Sequence, residues 1–132
     1  MERCEQSWPA SPEYVGSARR VVSAVARRAG AEDPVLDAVR LAVSEAVSNV
    51  IVHGYRERGN GAFTVSIESH GDELLVTVRD EGCGMQPRMD SPGAGLGLPL
   101  IANLAESFSV TAPPGGGTEV CMTFPLRMIT AG

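Results

Sequence analysis

The chain has 132 residues, 43% hydrophobic and 20% charged, with sixteen acidic residues against eleven basic ones, every one of them arginine. That length fits one domain, residues 1–132, with a core that needs no staples, and a net charge of −5 without a basic run excludes the usual nucleic-acid surface. No run of about 18 apolar residues exists for a membrane span, the N-terminus lacks the apolar core of a signal peptide, and Cys4, Cys83 and Cys121 form neither a zinc pattern nor a disulfide framework. The expectation is a reduced, cytoplasmic protein with no membrane contact.

In chain order, Cys4 to Trp8 reads as a short strand. Ser11-Pro12 then has the form of a helix start, a capping oxygen followed by a residue whose missing N–H does no harm there. This helix should run to about Ala29 and end at Gly30, with Val15, Ala18, Val22, Val25 and Ala26 as its apolar stripe. Arg19, Arg20, Arg27 and Arg28 lie off or beside that stripe and read as a solvated face. Asp33-Pro34 repeats the start signal. The second helix should run to about Arg56, roughly 35 Å at about 1.5 Å per residue, before Gly59-Asn60-Gly61 stops it.

Within it the stretch Leu41 to Tyr55, LAVSEAVSNVIVHGY, places Glu45, Asn49 and His53 at i, i+4 and i+8. Residues so spaced share one helix face, here a carboxylate, an amide and an imidazole on an otherwise apolar helix. Such a stripe needs water, a partner or a ligand. Alone, it fits a solvated face equally well.

The period then changes from helical to alternating. Phe63, Val65 and Ile67 form one face of a strand, Leu74, Val76 and Val78 one face of the next, and His70-Gly71-Asp72 supplies the hairpin turn. From Asp80 the chain reads DEGCGMQPRMDSPGAGLGLPLI. Asp80 stands at a strand end, where a carboxylate can accept a hydrogen bond from an exocyclic amino group such as that of adenine. Gly82 and Gly84 follow, where a backbone without Cβ atoms admits a planar ligand. By itself this is also a plain turn. Gly93, Gly95 and Gly97 lead into an apolar helix, Leu96 to about Glu106, whose first N–H groups could cradle phosphate. A Rossmann fingerprint is excluded by order, because that motif follows a first strand. A strand from Ser107 to Ala112, a Pro-Gly turn and a last strand from Thr118 to Leu126 complete the chain. Early helices and late, hairpin-linked strands predict an α/β sandwich: a mixed, mostly antiparallel sheet covered by helices.

Taken in sequence, E-x-x-x-N-x-x-x-H-G-Y, D-E-G-C-G-M, G-A-G-L-G-L-P-L-I and G-G-G-T before a final strand resemble the nucleotide-binding boxes of the Bergerat-fold (GHKL) ATPases. Within that superfamily the chain is most similar to the anti-sigma factor serine/threonine kinases, over nearly its whole length. The resemblance implies the Bergerat two-layer fold, with ATP and Mg²⁺ as cofactors. It implies Asn49 as the Mg²⁺ ligand, Glu45 as the general base, Asp80 as the adenine reader, and Gly82 and Gly84 beneath the base. Thr118 would help hold Asp80, and Gly93, Gly95, Leu96 and Gly97 would lie on the phosphate side. His53 would support the helix end at Gly54.

The same resemblance implies a sigma factor and an anti-anti-sigma (STAS-type) protein substrate as partners, with Arg19 contacting them, and it admits a homodimer. Histidine kinases need a further phosphoacceptor domain, for which no room is expected here, and gyrase-type ATPases add a second domain with a catalytic lysine, whereas this sequence has no lysine. Between Gly84 and Gly93 only Arg88 is cationic, so Arg56 would have to assist or transfer would be slow. The rival expectation is a non-catalytic ATP-binding module that regulates a signalling partner. Glu45 discriminates, since such a module has no use for a carboxylate there.

Overall fold

Alternation in the sequence becomes a five-stranded sheet in the order β1-β2-β3-β5-β4. The computed structural model describes residues 2–54, 61–80, 104–111 and 117–127, with the backbone alone at 52–54. Its strands are β1 (Arg3–Pro9), β2 (Ala62–His70), β3 (Glu73–Asp80), β4 (Ser107–Thr111) and β5 (Thr118–Pro125), and its long helices are α1 (Val15–Arg28) and α2 (Asp33–Gly54). All four ladders among the described strands are antiparallel, as expected of a mostly antiparallel sheet.

One face of the sheet carries Phe63, Val65 and Ile67 of β2, Leu74, Val76 and Val78 of β3, and Val120, Met122 and Phe124 of β5, all buried. Alternation puts every second residue on one side, so these nine make a continuous apolar floor. α1 and α2 cover it with Ala18, Val22, Val25, Val39, Val43, Ala46 and Val47, giving a two-layer α/β sandwich. β1 contributes Trp8, whose ring stacks on its cross-strand partner Phe63 at 5.6 Å. The hairpin turns at Gly71, φ +57°, so that His70 pairs with Glu73 as the turn composition predicts. Thr64 lies on the polar phase of β2 yet is buried, because its hydroxyl bonds that of Ser7 across the strands at 2.7 Å.

Two local expectations are corrected. Ser11 does not cap α1: a 3-10 turn, Pro12–Tyr14, comes first, and the Ser11 hydroxyl donates to the Glu13 carboxylate at 3.4 Å rather than capping a backbone N–H. The proline fixes φ but the tighter turn moves the α-helical start to Val15. The helix expected to reach Glu106 has Leu104 as its last helical residue, and the chain bends at Ala105 and Glu106. The Glu106 N–H bonds the Thr123 carbonyl at 2.8 Å, so cross-strand pairing draws the backbone out of the helix before its apolar pattern ends. The four arginines of α1 are exposed, as a solvated face requires, and with Arg40 of α2 they line an open groove. Gly30, at φ +99°, ends α1 as expected.

Candidate functional site

The core face of β3 runs Leu74, Val76, Val78 and ends on a carboxylate. Asp80 keeps the same phase, so its side chain faces the helical layer and is only 1% exposed. A buried carboxylate without hydrogen bonds is expensive, and the start of β5 supplies one. Asp80 pairs in register with Thr118, and the Thr118 backbone N–H donates to Asp80 Oδ1 at 3.2 Å. Thr118 is itself buried.

Gly117 makes this approach feasible. It has φ +89°, and a Cβ placed there would stand 2.3 Å from the Asp80 carbonyl oxygen and 3.3 Å from its Oδ1. Only glycine combines that backbone angle with so close a neighbour. The sequence shows three consecutive glycines at 115–117, and nothing local says which one bears the constraint. The cue is position: Gly117 directly precedes the strand that pairs with Asp80.

α2 packs on β3 and β5 and brings its polar stripe to the edge of the same layer. Ala42, Val43, Ala46, Val47 and Val50 are buried, whereas Glu45 and Asn49 lie at the margin of that face and are half-buried. Asn49 Nδ2 is buried and has no hydrogen-bond partner among the described residues. An unsatisfied buried amide costs about 1–3 kcal/mol, so packing alone is a poor reason for it. The same amide carries an oxygen of the hard type that Mg²⁺ selects. The residues fit a ligand-holding role on this ground: one polar atom left open on α2, and one fixed carboxylate at the end of β3.

His53 lies on α2 with only its backbone described. Gly82, Gly84, Gly93, Gly95, Leu96 and Gly97 lie outside the described residues, as do Arg56 and Arg88. Arg19 is exposed on α1, and its Nη1 donates to Ser44 Oγ at 3.4 Å, one residue before Glu45. Among the described residues no cluster of His, Cys, Asp or Glu could hold a metal ion, and no helix is long and apolar enough to cross a membrane.

Comparison with known proteins agrees with this architecture. The family model of the histidine kinase-like ATPase domain matches residues 8–124. An anti-sigma F factor from Clostridium acetobutylicum is 34% identical over 119 residues, covering 80% of this chain and 82% of its own. Another, from Thermoanaerobacter pseudethanolicus, is 36% identical over 120 residues, covering 80% and 81%. The serine-protein kinase RsbW of Bacillus subtilis is 41% identical over 78 residues, 59% of this chain and 49% of that one. The crystal structure of the RsbU and RsbW domains of Rv1364c from Mycobacterium tuberculosis superposes with a TM-score of 0.74 at 21% identity. It covers 98% of this chain and 35% of that one, a likeness of fold. A match from Trp8 to Phe124 and relatives above 30% identity across most of both chains lead to one conclusion: the chain belongs to the histidine kinase-like ATPase family, beside its anti-sigma F factors.

Proposed function

We propose that this protein is an anti-sigma factor that sequesters a sigma factor. In this reading it also uses Mg-ATP to phosphorylate a serine or threonine of an anti-anti-sigma, STAS-type protein. The observation that carries the reading is the buried Asp80 carboxylate, fixed by Thr118 N–H with Gly117 against it. A carboxylate so placed is an acceptor of set direction, suited to the adenine amino group. A plain turn after a strand would have no need of it. The orphaned Asn49 amide supports the second half of the site.

Asp80 would read the adenine edge, and Asn49 would hold Mg²⁺ through its amide oxygen. When bound, Mg²⁺ supplies positive charge to the phosphate oxygens. Glu45, one turn before Asn49 on the same face, would take the proton of the acceptor hydroxyl as its oxygen bonds to the γ-phosphorus. The bond to the bridging oxygen breaks and ADP leaves. Gly82, Gly84, Gly93, Gly95, Leu96 and Gly97 would line the base and phosphates, and Arg19 would contact the protein partners. The scarcity of cations between Gly84 and Gly93 supports a slow transfer.

Replacing Glu45 by alanine tests the chemistry. Binding of Mg-ATP, measured by calorimetry, should persist, while phosphorylation of a STAS-type protein falls by about 10²–10⁴-fold. Full kinase activity in Glu45→Ala would leave the non-catalytic binding module as the better reading.

A further inference from the structure

The Asp80 carboxylate is one place in a rung that crosses four strands. Trp8 of β1 pairs with Phe63 of β2, Phe63 with Asp80 of β3, and Asp80 with Thr118 of β5. Partners in an antiparallel rung point to one side of the sheet, their Cβ atoms about 4.5–5.5 Å apart. All four of these side chains are buried.

Asp80 therefore has a different neighbour on each flank. On the β5 side the Thr118 N–H donates to Oδ1 at 3.2 Å. On the β2 side stands Phe63, fully buried, with the Trp8 ring stacked on it at 5.6 Å and 27° between the planes. Polarity thus changes across the carboxylate, from a donor on one side to two rings on the other. The outer end of the rung is also held. The Ala10 N–H bonds the Gly61 carbonyl at 2.9 Å, and the Ser7 and Thr64 hydroxyls meet at 2.7 Å, so β1 stays in register with β2 beside Trp8.

Filling the core does not by itself call for this pair. Along the core faces of β2 and β3 the other apolar residues are Val65, Ile67, Leu74, Val76 and Val78, all aliphatic. The aromatic ring of β2 falls in the rung that ends β3 on a carboxylate, and the chain's one tryptophan lies on top of it. Rings turn about two torsions only, and a stacked pair blocks both, so they make a stiffer wall than aliphatic chains. They also keep water from that flank. In so dry a place a hydrogen bond accepted by a carboxylate is strong, and a ligand bringing a second acceptor is rejected.

We propose that Trp8 and Phe63 are positioning residues for Asp80: their stacked rings wall its carboxylate on the β2 side and thereby set its preference for an amino group on the base. The preference for adenine rests on the reading of Asp80 given above; the wall itself does not.

The test compares Mg-ATP with Mg-ITP, which carries an acceptor oxygen where adenine has its amino group, by calorimetry on the full chain. Wild type should prefer ATP by about tenfold or more. Trp8→Ala and Phe63→Leu should each cut that preference by about threefold or more, through weaker ATP binding at steady ITP affinity. Trp8→Phe keeps a stack and should retain the preference. Hydrogen exchange of the Thr118 amide, the donor to Asp80, is followed by NMR without nucleotide and should quicken by about threefold or more in Trp8→Ala and Phe63→Leu. If Trp8→Ala melts early, Trp8→Leu takes its place. Where wild type prefers ATP, equal weakening of both nucleotides or an undiminished preference in the folded variants overturns the proposal. An unchanged Thr118 amide overturns it whatever the nucleotides do. A wild type that binds ATP and ITP alike, with the Thr118 amide loosened in the variants, would sink the adenine reading and leave the rings as the wall of the carboxylate.

Discussion

The Asp80 corner and the arginine-lined seam between α1 and α2 are two charged regions built on opposite rules. At the corner a single carboxylate is almost wholly buried, aimed by strand phase, met by one backbone N–H and closed in by a glycine that admits no side chain. At the seam five guanidinium groups stand at the surface, two of them loosely paired and none buried. Burial makes direction exact and substitution costly; exposure makes charge additive, screened by salt and tolerant of exchange. The first arrangement suits one small ligand in one orientation. The second suits a broad surface whose contacts are shared among many side chains.

The contrast can be broken most severely at Gly117. Gly117→Ala forces a Cβ onto the Asp80 carbonyl at a backbone angle that L-residues resist. It should lower stability by about 3 kcal/mol, from about 1–2 for the left-handed backbone and 1–3 for overpacking. Urea unfolding would show it as a lower midpoint, and a variant as stable as the parent would mean the corner is loose. Next, Asp80→Asn replaces one acceptor oxygen by an N–H₂ group and should weaken ATP binding by about 1.5–3 kcal/mol, tenfold or more. Calorimetry decides it; an unchanged dissociation constant would place adenine elsewhere. Asn49→Ala sharpens the comparison further, since its loss should appear in Mg²⁺ and largely vanish in EDTA. Equal losses in both buffers would make Asn49 a packing residue. The smallest effect is expected at the seam: Arg28→Ala removes a solvent-exposed pair with Glu2 and should change stability by less than about 0.5 kcal/mol. A loss of more than 1 kcal/mol at that position would show that the seam is as rigid as the corner.

The strands, both helices and the hairpin were legible because burial imposes a period, and the period of 63, 65, 67 and 74, 76, 78 is undisturbed. Asp80 was legible as the residue that continues that period and breaks its chemistry. Gly117 was not, because its constraint comes from an oxygen 37 positions earlier in the chain. Arg40 was likewise invisible as a partner of the α1 arginines: only helix packing brings it to Ser23. Ser11 misled for a local reason, since a cap signal does not say whether a 3-10 or an α-turn follows it.

One feature of the sheet bears on how the protein is made. β5 follows β4 in the chain but lies inside it, between β3 and β4. As the polypeptide leaves the ribosome, β3 therefore waits with one edge of unpaired backbone N–H and C=O groups until the strand from Thr118 to Pro125 arrives. Asp80 acquires its N–H partner 38 residues after it is synthesised. The Asp80 corner is thus assembled by the same late pairing that completes the sheet, and a nascent chain halted before β5 presents an unpaired strand edge in place of that corner.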